Sequence, residues 1–173
     1  MKHFIPGSLL LIFLCCLFPL YGQQHPISEK VEISGLVAHP FTLTPGDTQG
    51  LRLQTIKNDR NVTGMSGEIK QEIRTFKGIL LRDIIDKAGV DMPHKKDRGR
   101  YIVYVIANDG YKVAFAWNEL YYGPAADHTW LLLEKNGKPI TKNGRFTVFC
   151  ASDVVTGPRH VKWVSKIEIR RLD

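Results

Sequence analysis

The chain has 173 residues, 43% of them hydrophobic, with 15 Gly, 9 Pro and a formal net charge of +7. That composition excludes a collagen-like rod, a disordered chain and a tandem repeat, and the length suits one ordinary domain. The basic balance favours anionic ligands, lipid head groups or acidic partners; nucleic acid is disfavoured because no nucleic-acid motif is present and the chain opens on an export signal.

That signal comes first. Met1-Lys2-His3 is a short basic start, residues 9–20 are almost wholly apolar, and Tyr21-Gly22 places a small residue before Gln23. Basic, apolar and small in that order is the pattern of a secretory signal peptide, here residues 1–22. Its removal predicts a periplasmic or secreted protein with a short linker (residues 23–30) and one domain over residues 31–173. No later apolar run is long enough to cross a bilayer, so the mature chain is expected to have no transmembrane span. The alternative is a lipoprotein acylated at Cys15 or Cys16, but Leu14 stands where a small residue should precede Cys15. With both of those cysteines in the signal, the mature chain keeps Cys150 alone and can form no internal disulfide.

Within the domain, Val31-Glu32-Ile33-Ser34-Gly35 alternates as a half-buried strand does. Thr44-Pro45 suggests a helical turn, and Leu51, Leu53 and Thr55 alternate as a second strand. Residues 58–71 read as a long loop or irregular hairpin. The strongest helix covers residues 79–88, with Leu80, Leu81, Ile84, Ile85 and Ala88 on one face and Gly89 placed to end it in a left-handed cap. A charged loop follows at residues 94–98. Residues 101–107 form a β-branched and aromatic strand, and Asp109-Gly110 turns the chain into a partner strand over residues 111–117. Residues 130–134 form the next strand, Asn136-Gly137 its turn, and residues 145–150 the strand after it. Residues 159–172 read as one closing strand, with Val161, Trp163, Ile167 and Ile169 facing one way and His160, Lys162, Lys166, Glu168 and Arg170 the other. One good helix among many strands predicts a strand-rich α+β domain.

Chemistry is sparse. The five mature histidines are too far apart in sequence for a local metal pair, and no nucleophile elbow, phosphate-binding glycine loop or dinucleotide fingerprint is present. Asp109 suits a role in its turn and Glu119 one near a strand end. Cys150 closes an apolar strand, where a buried inert thiol is the usual state and a reactive thiol or metal ligand the alternative. The richest stretch is Thr156-Gly157-Pro158-Arg159-His160-Val161-Lys162-Trp163. A Gly-Pro turn followed by Arg159, His160 and Lys162 offers a guanidinium fork, an ammonium and turn amides, the donors of an anion site; a solvated basic edge is the bland alternative.

The ordered set of motifs resembles the oxidoreductase molybdopterin-binding domain of the sulfite oxidase family. It runs from Ser34-Gly35-Leu36-Val37 and Pro40 through Phe76-Lys77-Gly78-Ile79-Leu80-Leu81 and Asn108-Asp109-Gly110-Tyr111. It continues through Asn136-Gly137-Lys138-Pro139-Ile140 and Gly144 to the closing element, Gly157 to Trp163 with Ile167. The similar region spans residues 31–172, as a small, stand-alone exported version of the domain. The resemblance implies a sulfite oxidase-type fold around a molybdopterin cofactor, its phosphate end held by Gly157, Arg159, His160 and Lys162. It also implies a cysteine thiolate on the metal, in the neighbourhood of Lys57-Asn58-Asp59-Arg60. No cysteine stands there, and Cys150 lies on a late strand. The expectation is therefore a domain that keeps the fold and a pterin or other anionic ligand, without the usual cysteine-ligated molybdenum catalysis. Two alternatives stay open: an active molybdenum oxidoreductase with another ligand, and a partner-binding module of an exported redox complex.

Overall fold

The computed structural model describes residues 27–57 and 61–173. The proposed signal and most of the linker, residues 1–26, lie outside the described residues, as do Asn58, Asp59 and Arg60. What is described of the linker already packs on the domain. Ser28 is buried, its carbonyl accepts from the Arg145 amide, and Glu29 pairs with the Arg145 side chain.

Two sheets carry the fold. The first has the order β2 (Phe41–Leu43), β1 (Val31–Gly35), β12 (Val164–Arg171), β7 (Tyr101–Ala107) and β8 (Lys112–Ala116). Its β1–β12 pair is parallel and joins the two ends of the domain, with Ile33 opposite Ile167 and Gly35 opposite Ile169. A Cβ on Gly35 would stand 2.2 Å from the Ile169 carbonyl oxygen, so only glycine lets the strands close there. In the second sheet, β9 (Thr129–Lys135) pairs on one edge with β6 (Thr75–Leu80), which in turn pairs with β3 (Gln54–Lys57). Its other edge carries β10 (Lys138–Pro139) and β11 (Thr147–Cys150).

The run Trp130-Leu131-Leu132-Leu133 shows why this second sheet is the middle layer. Side chains alternate along a strand, and here both faces are apolar. Leu131 and Leu133 enter the main core with Ile33, Val103, Phe115, Val148 and Ile167. Trp130 and Leu132 enter a smaller core with Val62, Phe76, Leu80 and Phe149. Helix α1 (Leu81–Ala88) buries Leu81, Ile84, Ile85 and Ala88 in the main core and ends on Gly89 at φ 63°. A separate hairpin of β4 (Asn61–Thr63) and β5 (Ile69–Glu72) contributes Val62 to the smaller core.

The strand-rich α+β class stands, with local corrections. The helix begins at Leu81 because Ile79 and Leu80 still pair with Leu131 and Trp130 in the sheet. Thr44-Pro45 forms a turn closed by Thr44 and Asp47. Leu51 and Leu53 precede β3, and Trp117 leaves its strand to open a short helix, α2 (Trp117–Tyr122). The charged loop after α1 winds into a 3-10 turn, Lys95–Arg100. The largest correction concerns the closing element. Gly157–Arg159 is a 3-10 turn and the strand starts at Val164, because Trp163 takes a left-handed φ of 49° and the ladder slips between Val164 and Lys166. Val164 therefore takes the fully buried place expected of Trp163, which is only partly buried against the main core.

Among the described residues no helix is long and apolar enough to cross a membrane.

Candidate functional site

The closing turn meets the β4–β5 hairpin through one threonine. The Thr156 hydroxyl donates to the Asn61 carbonyl at 3.0 Å and accepts the Thr63 amide at 2.9 Å. The Gly157 amide then donates to the Thr63 hydroxyl at 3.1 Å. This contact needs a bare backbone, since a Cβ on Gly157 would lie 2.4 Å from the Thr63 carbonyl oxygen and 2.6 Å from that of Gly64. Gly157 thus acts by close approach, and its amide is already engaged.

Beside this seam lies a cavity of about 300 Å³ lined by Val62, Thr63, Gly64, Met65, Lys70, Gly157, His160 and Lys162. Three of the four residues expected to grip an anion, Gly157, His160 and Lys162, come together here. His160 is 8% exposed, with the edge of its ring against Phe149. Burial, reinforced by Lys135 and Lys162, pulls its pKa down to about 3, so the imidazole is neutral at physiological pH. The Lys135 ammonium stands 3.0 Å from His160 Nε2. An ammonium has only donors, so Nε2 must accept and Nδ1 carries the ring proton. Lys135 is itself pulled down to about 8, first by burial and then by the charge of Lys162. Among the described residues no carboxylate pairs with Lys135 or Lys162, whereas Lys70 has Glu68 at 3.0 Å.

Arg159 does not join them. Its guanidinium turns to the opposite side of the turn, where it pairs with Asp153 and Glu119 and lies 4.7 Å from the centre of the Phe115 ring. Its Nε–H donates to Asp153 at 2.9 Å, and the two carboxylates hold its pKa above the ordinary value. Its charge is thus already neutralised inside the protein, and it lines no part of this cavity. The residue braces the turn that presents His160.

Cys150 is fully buried on β11, accepts from the Thr129 hydroxyl at 3.4 Å and lies 3.7 Å from an Arg159 nitrogen. It lines no part of the cavity. Asp109 accepts the Tyr111 amide at 2.9 Å, a turn role as its position suggests.

Two site residues escape sequence reasoning. Lys70 comes from the hairpin and Lys135 from the end of β9, each far along the chain from the closing turn. Only the Lys135-Asn136-Gly137-Lys138 pattern gave a local signal. A two-residue turn with φ of 51° and 73° sets those lysines opposite each other.

The donor set suits the phosphate end of a pterin cofactor: two ammoniums and a ring N–H, the turn amides being engaged within the protein. It offers nothing equivalent at the metal end. Lys57 is described and cationic, residues 58–60 lie outside the described residues and contain no cysteine, and Cys150 is elsewhere.

No curated protein sequence matches the chain. Among solved structures, the sulfane dehydrogenase SoxCD from Paracoccus pantotrophus shares the fold with a TM-score of 0.54 at 19% identity. That alignment covers 81% of this chain and 37% of the SoxCD chain, so the protein spans well under half the length of its structural relative. A sequence description of the oxidoreductase molybdopterin binding domain matches residues 22–173. That match, over nearly the whole chain, makes the protein a member of the oxidoreductase molybdopterin-binding domain family, with a strand-rich fold of sulfite oxidase type.

Proposed function

We propose that this is an exported domain that holds molybdopterin by its phosphate in the cavity between the β4–β5 hairpin and the closing turn. It works without cysteine-ligated molybdenum catalysis of the sulfite oxidase type, alongside an exported redox partner. The observation that carries the reading is that Lys162 and a neutral, buried His160 line the same cavity, with no carboxylate on Lys162 among the described residues.

Lys162 supplies a point charge to the phosphate and Lys70 a second, once the exposed Glu68 releases it. His160 stays neutral and donates through Nδ1 while Nε2 anchors Lys135. Gly157 keeps the hairpin close enough to wall the cavity. When bound, molybdopterin supplies a pair of dithiolene sulfurs for a metal. The chain adds no thiolate in the 57–60 stretch, and Asn58 or Asp59 could offer only hard oxygen where a soft ligand is preferred.

The test is metal and pterin analysis of the protein purified from its own export route. Its intact mass should start at Gln23, and oxidised pterin fluorescence should be stoichiometric in the wild type and lost in Lys162→Ala. Absence of pterin from the wild type would overturn the binding assignment. Stoichiometric molybdenum with turnover of sulfite or a sulfoxide would overturn the loss of catalysis.

A further inference from the structure

Single exposed apolar side chains are ordinary on a protein surface, but a contiguous group of them marks an interaction site. Such a group stands at the tips of two neighbouring loops. Met65 is 73% exposed and Ile69 65%, and they bracket the turn of the β4–β5 hairpin. Val154 is 91% exposed and Val155 37%, in the loop that leads from β11 to the closing turn. The hydrogen bonds of Thr156 and Gly157 to Asn61 and Thr63 fasten the two loops together. A Cβ on Gly67, in the hairpin turn, would stand 3.9 Å from the Val155 side chain. The four aliphatic side chains thus belong to one projection.

The charges around it decide what covers it. Lys162 lines the same cavity as Met65, and Lys135 holds His160 in the wall of that cavity. Lys138 and Lys142 line the neighbouring concavity with Lys135 and Gln71. None of these four lysines has a carboxylate within ion-pair distance among the described residues. Glu68 and Asp153, the acidic residues beside the tips, are already paired with Lys70 and Arg159. A second copy of the chain would bring two lysine bands together, in a protein whose formal charge is already +7. An anionic bilayer offers the opposite: an acyl boundary for the aliphatic tips and negative head groups for the lysines.

We propose that Met65, Ile69, Val154 and Val155 dock the protein on an anionic lipid surface, with the flanking lysines at the head groups. The docking is shallow and reversible, since four side chains bury far less apolar area than an interfacial helix does. Met65 also lines the cavity, so docking turns the cavity mouth towards the lipid. It does so whichever ligand the cavity takes.

Co-sedimentation of the mature protein with vesicles tests it, residues 1–22 being absent because their apolar run would bind lipid by itself. Binding should be about tenfold tighter to equal parts phosphatidylglycerol and phosphatidylcholine than to phosphatidylcholine alone. Met65→Ser/Val154→Ser, altered only at exposed positions, should weaken binding to the mixed vesicles about tenfold and leave the urea unfolding midpoint unchanged. Lys138→Gln/Lys142→Gln should weaken it by about the same factor. Val154→Trp should bind more tightly, its added tryptophan emission shifting to the blue as the ring enters the bilayer interface. Absence of binding to the mixed vesicles would overturn the assignment and give the tips to a protein partner. Serine or glutamine variants that bind as the wild type does, or a Val154→Trp emission that vesicles leave unshifted, would overturn it as well. So would a concentration-dependent dimer dissolved by Met65→Ser/Val154→Ser, which would give the tips to a second copy of the chain.

Discussion

Arg159 and Lys162 are three positions apart, yet they occupy opposite electrostatic worlds. Arg159 sits between two carboxylates and over an aromatic ring, its charge fully answered from within the protein. Lys162 faces a neutral imidazole and another ammonium, with no answering charge among the described residues. A 3-10 turn followed by an extended residue sends the two side chains to different sides. Charge that is compensated internally holds a fold together, and charge that is not waits for something from outside.

The largest effect should come from acid. His160 has its pKa near 3 in the folded protein against 6.5 for an ordinary histidine. Between those values the unfolded chain binds a proton that the native state refuses, so stability falls as pH drops from 6.5 towards 3 and is unaffected by this residue above 6.5. The full loss is on the order of 4–5 kcal/mol. Urea unfolding of the ligand-free protein across that range should show it, and His160→Gln should flatten the slope.

Next is the internally answered cation. Arg159→Ala leaves Asp153 and Glu119 without their shared counter-ion and should cost about 3 kcal/mol by urea unfolding at neutral pH. Arg159→Lys should recover only part of this, because one ammonium cannot reproduce a planar fork on two carboxylates. Gly157→Ala pushes the hairpin off the closing turn and should cost about 2 kcal/mol. It should also weaken phosphate binding by opening the cavity wall.

Smaller effects separate the two sides most sharply. Phosphate binding should weaken as pH rises through about 8, where Lys135 loses its proton. Lys162→Met should diminish phosphate binding yet raise the stability of the ligand-free protein by roughly 0.3–0.5 kcal/mol, because it relieves repulsion of Lys135. A variant that loses stability there, as Arg159→Ala should, would break the comparison.

The sheets were largely legible. Alternation in Val31 to Gly35, the β-branched stretch around Val103 and Val105, and the Asn136-Gly137 turn are local signals that tertiary packing did not overrule. The site was legible only in part. Gly157, His160 and Lys162, which line the candidate cavity, sit in one contiguous motif, but the direction of Arg159 depends on Glu119 and Asp153, one of them on a helix six residues long that its Trp-Tyr-Tyr composition did not announce. The left-handed turn at Trp163 was equally hidden, since nothing in a tryptophan asks for a positive φ. Its conformation is fixed by contacts from afar: its amide donates to Asn143, and its carbonyl accepts from Asn108.

The parallel pairing of β1 with β12 has a consequence in time. The strand that opens the domain has its neighbour at the far end, so the first sheet cannot close around β1 until nearly the whole domain has been made. Local hairpins such as β7–β8 can form early, but β1 waits, and such long-range closure is slow. Until residues 164–171 are available, the apolar face of β1 has no strand to close against, and the half-built sheet stays exposed to misfolding for that time.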